Sequence, residues 1–172
     1  MNVLITRARE DAEKLATNLC DLGFTSIIDP LLKIKFTNGP RLNLEGVQAL
    51  LMTSANGVRA FTLRSDERRI PICAVGDATA NMARVRGFMS IKSAEGNVED
   101  LGNLVADEFL PGSGTLLHST GSNLAGNLQR SLTVKGFKYR REILYEAIFA
   151  DRFSELTIQG FNSRKIDAVV LY

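Results

Sequence analysis

Short apolar runs alternate with helix-length amphipathic stretches along this chain, and no other feature limits its fold as strongly. "NVLIT" (Asn2 to Thr6) reads as a buried strand. In "REDAEKLATNLCDLG" the residues Ala12, Leu15, Ala16, Leu19 and Leu22 recur at helical spacing, acids fill the first turn, and Gly23 sits where a helix C-cap belongs. "FTSIID" is again strand-like, and "LLKIKF" (Leu31 to Phe36) alternates apolar with basic residues, as a half-exposed strand does. "TNGP" (Thr37 to Pro40) is a turn or a crossing. Strands then follow at "VQALLM", "PICAVG", "FMSIKS", "GTLLH" and "FKYRREILYEAIFA". Between them lie helices at "TSANGVRAFTLR", "DATANMARVRG", "AEGNVEDLGNLVADEFL" and "GSNLAGNLQRSLTVKG". Strands separated by helices of this length need crossover connections, so the expected class is α/β, with parallel sheets covered by helices on both faces.

The pattern carries an internal repeat. Laid without gaps so that Leu4 meets Leu117, the first unit puts Ala12 on Ala125, Leu15 on Leu128 and Leu19 on Leu132. It also puts Gly23 on Gly136, Phe24 on Phe137 and Leu31 on Leu144. The repeated Gly-Phe in one register points to equivalent places in two similar lobes. A second overlay sets Val47 on Ile166, so that "VQALLMTSANG" covers "IDAVVLY" and Tyr172 falls on Thr53. The first copy continues into a helix that covers its strand, and the second stops. An uncovered Val-rich strand is a sticky patch, so the chain reads as shortened at its C-terminal end.

Composition narrows the function classes. Lys and Arg (21) nearly balance Asp and Glu (19) for a net charge of +2, too balanced for charge alone to predict a nucleic-acid or membrane surface, and neither partner is expected. Cys20 and Cys73 fit no CxxC spacing and read as reduced thiols of a cytoplasmic protein. No apolar run approaches the roughly 20 residues of a membrane span. One histidine and scattered acids give no metal site, and no GxxxxGK[ST] or GxGxxG marks a nucleotide.

Ligands of doubly wound sheets sit beyond the C-terminal strand ends. Here those ends are Thr6-Arg7, Thr53-Ser54-Ala55-Asn56, Gly76-Asp77-Ala78-Thr79, Ser93 to Asn97, and Ser119-Thr120-Gly121-Ser122-Asn123. Each is small and polar and precedes a helix. Any one reads first as an N-cap, and the five together read as an anion-accepting cleft. His118, at a strand end, reads as a structural residue. Tyr145 in "EILYEA" has two open readings, a packing tyrosine or a phenol that donates a proton at a cleft mouth.

Taken in order, "VLITRAREDAEKLATNLCDLGF", "PLLKI", "LLMTSANGVRAF", "AVGDATANMARVRGF", "NVEDLGNLV" and "KGFKYRREILYEA" resemble uroporphyrinogen-III synthase over essentially the whole chain. The resemblance implies two parallel α/β lobes joined by a two-stranded ladder. Residues 1–33 and 151–172 would form the first lobe, which is incomplete and receives only one strand from its C-terminal part. Residues 38–140 would form the second lobe, and 31–37 with 141–150 the ladder. It implies a cofactor-free reaction in haem biosynthesis: hydroxymethylbilane, a linear tetrapyrrole, loses water and cyclises to uroporphyrinogen III with its last ring inverted.

By the same resemblance Tyr145 is the proton donor to the leaving hydroxyl. Thr53, Ser54, Asn56, Thr79, Gly96, Asn97, Ser119 and Gly121 face the substrate, with Arg7 as a rim cation. His118 and Ser119 stand where many relatives carry Arg-Gly. The resemblance implies a monomer, as is usual in the family, and the uncovered strand would allow a shortened chain to pair with itself. The alternative reading is a non-catalytic two-lobe protein for small anions, or an inactive fragment of the synthase.

Overall fold

The structure, a computed structural model, describes residues 1–123 and 126–171. Apolar runs form strands and amphipathic stretches form helices in the order β1 (Asn2–Ile5), α1 (Arg9–Asp21), β2 (Thr25–Ile28), β3 (Leu32–Phe36), β4 (Val47–Met52), α2 (Ala55–Arg64), β5 (Ile72–Ala74) and α3 (Asp77–Val85). Then come β6 (Ile91–Ser93), α4 (Val98–Glu108), β7 (Thr115–Gly121), α5 (Leu128–Val134), β8 (Lys138–Phe149), α6 (Glu155–Asn162) and β9 (Ala168–Val170). Two units result, one of Met1–Lys35 with Ala147–Tyr172, the other of Phe36–Glu146.

In the first unit the strands run β2-β1-β9, all parallel. Val3, Ile5 and Ala12 are its buried centre, with Leu15, Leu19, Phe24 and Ile28 packed against them. The apolar stripe of α1 therefore meets one face of the sheet. In the second unit β8-β7-β4-β5-β6 are successive parallel neighbours; β3, of which only Phe36 belongs to that unit, follows β8 in the strand order. Successive residues of β4 serve opposite faces. Leu50 and Met52 join Val58, Phe61, Ile72, Ala80 and Leu117, whereas Ala49 and Leu51 join Cys73, Leu101, Val105, Leu116 and Leu132. Helices α2 and α3 cover the first face and α4 and α5 the second, which is why "VQALLM" lacks polar alternation.

The internal repeat is present in the ladders. In the first unit β1 pairs with β2 as Asn2↔Thr25 and Val3↔Ser26, and in the second β7 pairs with β8 as Thr115↔Lys138 and Leu116↔Tyr139. These are the same pairs under the overlay of Leu4 on Leu117. On its other side β1 meets β9 as Val3↔Ala168 and Leu4↔Val169, and β7 meets β4 as Leu116↔Ala49 and Leu117↔Leu50. Those are the same pairs under the overlay of Val47 on Ile166. The repeated Gly-Phe closes both helices alike. Gly23 (φ 81) and Gly136 (φ 86) take the left-handed conformation, and the next N–H reaches back five residues, Phe24 to Leu19 O and Phe137 to Leu132 O. Of the positions matched in sequence, Ala125 and Tyr172 lie outside the described residues. "NVLIT" and "GTLLH" belong to different sheets.

Three expectations need correction. Strand β7 runs through Gly121, so Ser119, Thr120 and Gly121 are strand rather than loop. Helix α5 begins only at Leu128, and Leu124 with Ala125, placed in that helix from sequence, lie outside the described residues. The C-terminal stretch of the first unit contains α6 as well as β9; Ser154 caps α6 by accepting from Thr157 N–H.

Candidate functional site

The strand ends of the second unit are level. Met52 pairs with both Ala74 and Ser119, and Ala74 pairs with Ser93. The connections after β4, β5 and β6 therefore leave from one edge, and each enters a helix, capped at Ser54, Gly76 and Asn97. Thr53, Ser54, Asn56, Thr79, Gly96 and Asn97 lie along that edge.

Tyr145 of β8 joins this edge through Ser54. The two hydroxyls are 2.7 Å apart. The Ser54 oxygen also accepts the Gly57 N–H at 3.1 Å, so one side chain caps α2 and holds the phenol. The Tyr145 ring lies over Gly121, and its carbonyl accepts the Ser122 N–H at 3.0 Å. A register shift between Thr120 and Gly121 sets Gly121 opposite Tyr145. Arg141 fixes the same turn: one terminal nitrogen donates to the carbonyls of Gly121 and Ser122, each at 2.8 Å.

A second hydroxyl group adjoins the only histidine. Thr53 Oγ1 is 3.0 Å from His118 Nε2, and His118 Nδ1 is 2.6 Å from the Tyr139 hydroxyl. His118 is 1% exposed. Burial, helped by the Arg141 charge, pushes its pKa down to about 4, so the ring is neutral near pH 7. Burial pushes the Tyr139 phenol up to about 12 against the opposing effect of Arg141, so it keeps its proton.

Asn56 Oδ1 accepts from Arg59 at 2.6 Å. Thr79 is buried in the first turn of α3. Asn97 forms a capping box with Asp100: its side chain accepts from the N–H groups of Glu99 and Asp100, and its own N–H donates to the Asp100 carboxylate. Gly96 gives its N–H to Val75 O, and a Cβ there would run into the Asp100 carboxylate. Ser119 is buried, and its hydroxyl donates to Gly57 O at 2.8 Å, which ties α2 to β7. Gly121 seats the tyrosine ring. Arg7 belongs to the first unit, 3.7 Å from Asp11.

The structure thus sets the Tyr145 ring on Gly121 and its hydroxyl on Ser54, sets Thr53 on His118, and leaves Thr79 in the first turn of α3 and Gly96 with Asn97 in the connection between β6 and α4. Arg141, Arg59 and Tyr139 were not anticipated. Among the described residues no group of His, Cys, Asp and Glu could hold a metal ion, and no helix is long and apolar enough to cross a membrane. The edge offers hydroxyls, a phenol and an amide, which is equipment for holding carboxylates and moving one proton.

A family model described as uroporphyrinogen-III synthase HemD matches residues 13–172. The chain belongs to the uroporphyrinogen-III synthase family. Family members are cyclising lyases of haem biosynthesis that act on a tetrapyrrole. A mutant uroporphyrinogen III synthase from the extremely thermophilic bacterium Thermus thermophilus is similar in structure at 16% identity, with a TM-score of 0.59 over 98% of this chain and 71% of that one. Uroporphyrinogen-III synthetase from Helicobacter pylori is similar at 16% identity, with a TM-score of 0.57 over 88% of this chain and 63% of that one. These likenesses establish the shared α/β fold. No curated protein matches the sequence.

Proposed function

We propose that Tyr145 is the acid of the synthase ring closure and that Ser54 aims it. The observation that carries this is the 2.7 Å contact between the two hydroxyls at the start of α2. The Ser54 oxygen accepts the Gly57 N–H, and in the competent arrangement the Ser54 proton is given to the phenol oxygen. The phenol proton then points away from the pair and is available to a substrate. On hydroxymethylbilane it passes to the departing hydroxyl, the carbon–oxygen bond breaks, and water leaves. The pyrrole nitrogen supplies the electron pair, giving an azafulvene. The substituted carbon of the last ring attacks it, and the resulting spiro centre rearranges to the inverted ring. The proton lost as the pyrroles regain aromaticity returns to Tyr145, so the reaction is a net loss of one water. Thr53, Asn56 and Asn97 are the groups that hold carboxylates along the edge, and Thr79, buried in the first turn of α3, supports it from below. Ser119, Gly96 and Gly121 act as its framework, and Arg7 is left out.

The reading includes a monomer of the cytoplasm with no nucleic-acid partner. Free Cys20 and Cys73 and the near balance of charge support it.

The test is turnover of freshly prepared hydroxymethylbilane, with the ring isomers of the product separated. The wild-type chain should give the inverted isomer, and Tyr145→Phe should lower kcat by about a hundredfold or more with little change in KM. An unchanged kcat in Tyr145→Phe overturns the role of the phenol. Only the non-inverted isomer from the wild type overturns the synthase reading.

A further inference from the structure

His118 is the chain's only histidine, neutral and buried between two hydroxyls, and the proton donation above does not use it. A neutral imidazole has one N–H and one bare nitrogen, so its two contacts must run in opposite senses. Two arrangements fit the distances. In one, Nδ1–H donates to the Tyr139 oxygen and Thr53 donates to Nε2. In the other, Tyr139 donates to Nδ1 and Nε2–H donates to Thr53 Oγ1.

The chemistry selects the second. A phenol is a far better proton donor than a neutral imidazole, and an imidazole nitrogen is a far better acceptor than a phenol oxygen. The 2.6 Å separation is the short contact expected of a good O–H donor on a good nitrogen acceptor. His118 lies opposite Arg141 in the β7–β8 ladder, and that positive charge further disfavours a second proton on the ring. With Nε2–H engaged on its oxygen, Thr53 cannot give its own proton back to the ring. Thr53, just past the end of β4, is only half-buried, so that proton is free to be given to a group outside the pair.

We propose that Tyr139 and His118 form a buried relay that fixes Thr53 as a hydrogen-bond donor to a carboxylate of the substrate. The inference rests on reading this edge as the substrate-holding part of the synthase. His118 and Tyr139 are positioning residues, acting through Thr53. A threonine free to rotate presents lone pairs to an anion as readily as its proton. The relay removes that choice before the substrate arrives.

Two measurements on the full chain test it. Histidine labelled with nitrogen-15 gives signals from one imidazole, so the nitrogen shifts report its tautomer directly. The expected result is a bare Nδ1 and a protonated Nε2 near pH 7. Protonation at Nδ1 overturns the relay, whatever the activity. Steady-state kinetics form the second arm. Thr53→Val should raise KM by about tenfold while kcat falls less, and Thr53→Ser should restore KM. Tyr139→Phe, which keeps the ring shape, should raise KM in the same sense and add little when combined with Thr53→Val. Additive effects of those two variants, or an unchanged KM in Thr53→Val, overturn the proposal while the synthase reading stands. A wild-type chain that gives only the non-inverted isomer removes both.

Discussion

Gly121 leaves room for a hydrogen and nothing larger beneath the Tyr145 ring, since a Cβ built there would lie 2.7 Å from a ring carbon. The main chain of β7 therefore sets the height at which the phenol meets Ser54. Gly121→Ala should push the ring outward and break the 2.7 Å hydroxyl contact. Overpacking of this kind costs about 1–3 kcal/mol of stability. We expect kcat to fall at least tenfold, with Tm lowered by several degrees. Thermal unfolding together with initial rates checks it, and a fully active Gly121→Ala would separate the ring position from catalysis.

Ser54 has two duties that substitutions can part. Ser54→Ala removes both the cap of α2 and the partner of Tyr145, so stability should drop by about 1 kcal/mol along with activity. Ser54→Gly also removes the partner, but glycine is tolerated at a cap to within a few tenths of a kcal/mol. Equal losses of kcat in the two variants with unequal losses of Tm are the expected result. If activity instead tracks Tm, Ser54 serves the helix alone.

Stability should vary with pH through His118. Its pKa is about 4 in the folded chain against 6.5 for the free side chain. Between those values the unfolded chain binds the proton and the folded chain does not, so unfolding is favoured as pH falls. The stabilisation is complete above pH 6.5 and is lost progressively down to about pH 4, up to a magnitude on the order of 3 kcal/mol. Denaturant unfolding at successive pH values measures it. His118→Gln should flatten this limb, because no other histidine is present.

Much of this architecture was legible because apolar periodicity reflects which faces a sheet must bury. "VQALLM" matches β4 to the residue, and the basic alternation of "LLKIKF" fits the exposed Lys33 and Lys35 of β3. The end of β7 was not legible. Ser119, Thr120 and Gly121 have the composition of a loop, yet the strand continues through them, because Ser119 finds its acceptor on Gly57 and the Tyr145 ring covers Gly121. Helix α6 escaped because it is short and carries Gly160, although Ser154 was available as its cap.

The site was legible only in part, because its contacts depend on strand register. His118 meets Tyr139 diagonally across the β7–β8 ladder, where its direct partner is Arg141. The signal was present in the repeat, since the overlay of Leu4 on Leu117 gives one register for both ladders. Tyr145 and Ser54 are ninety-one positions apart, and only resemblance to the family drew them together beforehand.

The second unit begins and ends at one doorway. Thr37 donates its N–H to Leu144 O at 2.9 Å, and within the first unit Ala150 donates to Leu31 O at 3.0 Å. Both openings are thus pinned shut by a main-chain bond, so to the first unit the whole intervening polypeptide counts as a single closed loop. Closure entropy grows only with the logarithm of loop length, which makes so large an insert thermodynamically cheap to carry.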